Sequence, residues 1–99
     1  MRLTEHARKL IRDAVQEVFG AEATVSLFGS RVDESARGGD IDLLVELRQP
    51  VADREHKILQ LIARLQLRLG DQPIDVLVLD PATERRPIHE QALLTGVLL

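Results

Sequence analysis

Apolar residues recur at three- and four-residue steps near the start of the chain. Leu3, Ala7, Leu10, Ile11, Ala14, Val15 and Val18 form one stripe. The spacing predicts a helix over 4–19, opened by Thr4 as N-cap and stopped at Gly20. The next segment, 23–28, reads as a strand with Val25 and Leu27 on one face, and it runs straight into Gly29-Ser30. Residues 29–39 are a polar, glycine-bearing loop with a helical turn expected near 33–36. Strict alternation then predicts a strand over 41–47. Ile41, Leu43, Val45 and Leu47 point one way, and Asp40, Asp42, Leu44 and Glu46 point the other. Pro50 breaks the chain. Asp53 is placed to cap a helix over 54–69, with Ile58, Leu61, Ile62, Leu65 and Leu69 as its buried stripe, Leu67 off it, and Gly70 as its end. Pro73 opens a third strand, 74–79, apolar on both faces except at Asp75, which suggests an interior position. Beyond Pro81 the signal weakens to a short helix over 88–95 and an edge strand over 97–99. The expected fold is α/β (α+β): a small mixed β-sheet flanked by helices, built as one domain over 1–99.

Composition narrows the function. The chain has 99 residues, 44% hydrophobic and 29% charged, as expected of a globular domain and not of a disordered chain. It has no cysteine, so a disulfide framework and a thiolate metal site are both excluded. The formal net charge is -3, with no basic stripe to neutralise a duplex backbone. The aromatics are Phe19 and Phe28 alone, too few for a single-strand stacking platform. Direct nucleic-acid binding therefore loses weight. No stretch approaches the roughly 18 apolar residues of a membrane span, and the N-terminus lacks a signal-peptide core. A cytoplasmic location is the expectation.

The acidic residues are placed where chemistry can use them. Asp40 and Asp42 alternate at the start of one strand, so both point to one face, about 6.5–7 Å apart along it. Adjacent carboxylates repel, and a divalent cation removes the conflict. Mg²⁺ suits one or two carboxylates, with phosphate oxygens and water completing its shell. Asp75 sits near the start of the next strand and joins the pair if the two strands begin at the same edge. Three carboxylates could then hold two metals about 3.5–4 Å apart, as in-line phosphoryl chemistry uses. A turn or cap role explains one such Asp, not two on one face. Gly29-Ser30 supplies the other half: glycine admits close backbone approach, and successive N–H groups in a turn cradle an anion. Arg31 follows with a fork suited to phosphate. His6, His56 and His89 are scattered in polar helical contexts and read as surface residues. Arg85-Arg86 reads as a solvated pair, and Glu46 as a surface or edge residue.

Leu27-Phe28-Gly29-Ser30-Arg31, nine intervening residues, then Asp40-Ile41-Asp42-Leu43-Leu44-Val45 resembles the signature of the polymerase-β-like nucleotidyltransferases. The similarity is greatest to their smallest branch, the minimal nucleotidyltransferases that act as antitoxins in HEPN–MNT modules. Asp75, in Pro73-Ile74-Asp75-Val76-Leu77-Val78, resembles the family's third carboxylate. The resemblance implies the polymerase-β-like fold and a Mg²⁺-dependent enzyme, with two ions. Gly29 and Ser30, with Arg31, would bind the triphosphate. Asp40 and Asp42 would bind both metals. Asp75 would bind the catalytic metal and help activate the acceptor hydroxyl. In the antitoxin branch it implies AMP transfer from ATP to a tyrosine of a cognate HEPN RNase toxin, within a hetero-oligomer or a homo-oligomer. Two positions depart from many relatives: Gly39 stands where they carry a serine before the first Asp, and Asp33-Glu34 where they carry Arg-Gly. Two other readings stay open. One is a binding module that neutralises its partner by occlusion. The other is an adenylyltransferase subunit for a small, antibiotic-type acceptor. Larger relatives hold the acceptor with an extra helical domain. Here the acceptor is expected to dock in trans.

Overall fold

The computed structural model describes residues 3–32 and 40–99, and of Ser30 only the backbone. Among these residues, three helices cover a four-stranded mixed sheet, an α+β arrangement. Helix α1 spans Glu5–Phe19, and the Thr4 side chain caps it by accepting from the Ala7 N–H at 3.0 Å. Strand β1 (Thr24–Phe28) leads into a 3₁₀ turn over Gly29–Arg31. Strand β2 (Ile41–Glu46) is followed by helix α2 (Arg54–Leu69), strand β3 (Ile74–Leu79), helix α3 (Pro87–Thr95) and a short strand β4 (Val97–Leu98). The expected turn near 33–36 lies outside the described residues.

The sheet order is β3-β2-β1-β4. β1 is antiparallel to both of its neighbours, whereas β2 and β3 are parallel and joined through α2. β3 is therefore an edge strand of the described sheet, not the interior strand its sequence suggested. Its apolar run has a different cause. Parallel strands joined by a crossover helix are covered on both faces, whatever their place in the order. Ile41, Leu43 and Val45 share one face with Ile74 and Val78, where they meet Ile11, Val15, Leu61 and Leu65 of α1 and α2. The opposite face carries Phe28, Leu44 and Leu79, and α3 closes over them through Ala92. Leu44 lies on the carboxylate side of β2, yet it is 1% exposed because α3 covers it.

Two further expectations are corrected. Asp53 does not cap α2 with its side chain. It lies in the left-handed region (φ 52°) and makes no capping bond. His89 is not a surface residue: it is 8% exposed, and its Nδ1 accepts from the Arg86 N–H at 3.0 Å at the start of α3. The helix start thus turns a polar residue inward to satisfy an orphan donor. Leu67 is 87% exposed, off the buried stripe as expected. At the far end of β3, the buried Asp80 ties three segments together. It accepts from the Val51 N–H at 2.9 Å, the Ala82 N–H at 2.8 Å and Arg54 Nη2 at 2.8 Å. The Val51 bond, then those from Ala82, Arg54 and Thr83, outweigh burial and hold this carboxyl down at about 2. Glu17 of α1 receives Arg64 and Arg68 of α2 at 2.7 and 2.6 Å, fastening the two helices across their outer surface. No helix among the described residues is long and apolar enough to cross a membrane.

Candidate active site

Sheet topology gathers the predicted residues at one edge. β1 runs antiparallel to β2, so the end of β1 meets the start of β2, and Phe28 pairs with Asp42. β3 runs parallel to β2, so both start at that same edge, and Asp42 pairs with Asp75. Adjacent strands lie about 4.8 Å apart, and paired residues point to the same face, so the Asp42 and Asp75 side chains stand side by side. Asp40 precedes β2 by one residue and is exposed, as is Asp75, whereas Asp42 is half-buried between them.

The electrostatics record this crowding. The Asp42 carboxyl is pushed above the ordinary carboxylate range, first by burial, then by the charge of Asp75, then by that of Asp40. Asp42 thus feels both other acids. Among the described residues, no three His, Asp or Glu side chains are gathered closely enough to hold a metal ion. The donor set still fits a hard divalent cation. All its ligand atoms are carboxylate oxygens, and their mutual repulsion is what a cation offsets.

The glycine of the turn touches the same centre. Gly29 has φ +78°, a conformation that L side chains rarely adopt. A Cβ built there would run into the Asp42 carboxylate. The turn backbone is thereby pressed against the central acid, and only glycine permits that approach. Arg31 closes the turn, and its Nη2 donates to Gln72 Oε1 at 3.0 Å, just ahead of β3. The Ser30 side chain and the departures at Asp33, Glu34 and Gly39 lie outside the described residues.

Concavity alone would have pointed elsewhere. Clefts of about 340 and 360 Å³ open at the opposite end of the sheet, one lined by Phe19, Leu47 and Lys57, the other by Glu46, Asp80 and Arg85. Asp40, Asp42 and Asp75 line neither. Periodicity and motif spacing leave Gln72 and Asp80 unmarked. For Asp80 a signal was present: an acid directly after a buried strand and before a proline is a candidate for closing a turn.

The family model for the nucleotidyltransferase domain matches residues 8–95, which include every residue of this edge. The chain therefore belongs to the nucleotidyltransferase domain family, within the polymerase-β-like superfamily. Its members generally use a divalent metal and a nucleoside triphosphate. No curated protein matches the chain.

Proposed function

We propose that this nucleotidyltransferase moves AMP from ATP, with Mg²⁺, onto a tyrosine of a cognate HEPN-type RNase toxin and so acts as its antitoxin. The observation that carries the nucleotidyl-transfer part is the pairing of Asp42 with Asp75 at the edge where Gly29 meets Asp42. The protein acceptor rests on the resemblance of the Gly29-Ser30 to Asp42 segment to the minimal branch of the family.

In this reading the amides of the 29–31 turn and the Arg31 guanidinium receive phosphate oxygens. With Mg²⁺ bound, Asp40 and Asp42 would be its carboxylate ligands, and Asp75, paired with Asp42, would share in holding it. Bound there, Mg²⁺ would neutralise the triphosphate and lower the pKa of the acceptor hydroxyl. The turn lies on the β1 side of Asp42 and Asp75 on the β3 side. The triphosphate and the acceptor thus approach from opposite flanks, as in-line displacement requires. The acceptor oxygen bonds to the α-phosphorus, the bond to the bridging oxygen breaks, and pyrophosphate leaves. In the same reading the Asp75 carboxylate takes up the proton that the acceptor hydroxyl gives up. Positioning and charge neutralisation supply most of the catalysis.

The test uses the protein, Mg²⁺, ATP and the product of the neighbouring gene, with intact mass measured for both chains. The expected result is an AMP-sized gain on the partner that disappears with Asp42→Asn. A stable complex without any gain would overturn the transfer reading and leave neutralisation by occlusion.

A further inference from the structure

Gln72 lies in the turn between α2 and β3, and both ends of its side chain are used. Its Oε1 accepts from Arg31 Nη2 at 3.0 Å, a half-buried contact between residues 41 positions apart. Its Nε2 donates to the Leu69 carbonyl at 3.0 Å, one of the orphan acceptors at the end of α2. The backbone is fixed as well. The Gln72 N–H donates to the Gly70 carbonyl at 2.8 Å, and its carbonyl accepts from Gln66 Nε2 at 3.3 Å. The next residue, Pro73, accepts from the Ile41 N–H at 3.0 Å through its carbonyl. A path of hydrogen bonds and the Gln72–Pro73 peptide link therefore runs from Arg31, beside the glycine turn, to the starts of β2 and β3. Asp42 and Asp75 are the second residues of those strands.

We propose that Gln72 is a positioning residue for nucleotide binding, holding Arg31 so that the phosphate-binding turn keeps register with the carboxylate edge. The inference rests on the nucleotidyltransferase reading above. A long arginine side chain loses rotamer freedom when it clamps a phosphate, and a bond made beforehand removes part of that cost. A guanidinium carries five N–H donors, so the contact with Gln72 does not bar a contact to a phosphate oxygen. Glutamine suits the place because one group must accept from Arg31 while the other donates to Leu69.

Two substitutions separate positioning from mere helix capping. Gln72→Lys keeps a donor for the Leu69 carbonyl and loses the acceptor for Arg31. Gln72→Glu keeps the acceptor and loses the donor. Affinity for MgATP is measured by isothermal titration calorimetry, and melting temperature beside it. Positioning predicts that Gln72→Lys weakens MgATP binding about tenfold with little change in melting temperature. Gln72→Glu stays within about threefold of the parent while melting lower. Net charge alone gives the reverse order, since lysine attracts ATP and glutamate repels it. Affinities that follow charge or melting temperature overturn the inference while leaving the nucleotidyltransferase reading intact. Failure of the parent protein to bind MgATP overturns both, and is told apart by that parent measurement.

Discussion

Gly29 and Asp42 constrain each other. The glycine adopts φ +78°, and the space its missing Cβ leaves is filled by the Asp42 carboxylate. Gly29→Ala is therefore expected to displace the turn or the acid. It should reduce nucleotide transfer at least about tenfold, the scale at which a small misplacement of reacting groups is felt. Mass-resolved transfer assays check this, with circular dichroism to show that the fold persists. Asp42 carries a second consequence. Its pKa is raised by burial and by Asp75 and Asp40, so its charged form destabilises the fold as pH rises past its ordinary titration range. Asp42→Asn is expected to raise the melting temperature at pH 7 while abolishing transfer. A fall in melting temperature would contradict the crowding described above. A site whose acids cost stability in the free protein suits a cation-binding role.

At the scale of the elements, the two long helices begin differently, although both were expected to have side-chain caps. Thr4 caps α1 through its hydroxyl, so Thr4→Ala is expected to cost about 1 kcal/mol. Asp53 makes no such bond and holds φ 52°. Asp53→Gly should leave stability unchanged or raise it by up to about 1 kcal/mol. Urea unfolding of the two variants checks both, and a loss above about 1 kcal/mol for Asp53→Gly would restore the capping role. Periodicity identified both helices, but caps depend on one side chain's geometry, which spacing leaves open. The edge position of β3 was hidden for a related reason. An apolar run reports that both faces are covered by helices, and says nothing about whether another strand pairs alongside.

For the whole molecule, Asp80 is expected to make stability fall in acid. Its carboxyl is held at about 2 in the folded protein, below the ordinary value of 3.8, so folding favours the ionised form. The sign follows: the stabilisation is present above about pH 4 and is lost as pH falls toward 2. Its size is about 2 kcal/mol, enough to move the melting temperature of a domain this size by roughly 8–16 °C. Asp80→Asn should remove most of the drop between pH 4 and 2 seen in thermal melts of the parent. An unchanged acid profile would show that other groups govern it.

The amino-acid sequence by itself determined the helices, the strands, the glycine turn and the alternation that pairs Asp40 with Asp42. These follow from local periods and from backbone preferences, which need no distant partner. Only the tertiary structure decided that Asp75 stands beside Asp42, because that depends on β2 and β3 being parallel and in register. It also decided that Gly29 presses on Asp42, that Gln72 reaches Arg31, and that Asp80 and His89 turn inward. Each of these contacts joins residues whose neighbours in space are fixed by strand order and helix packing. A pattern read along the chain records which way a side chain points and leaves open what it will meet.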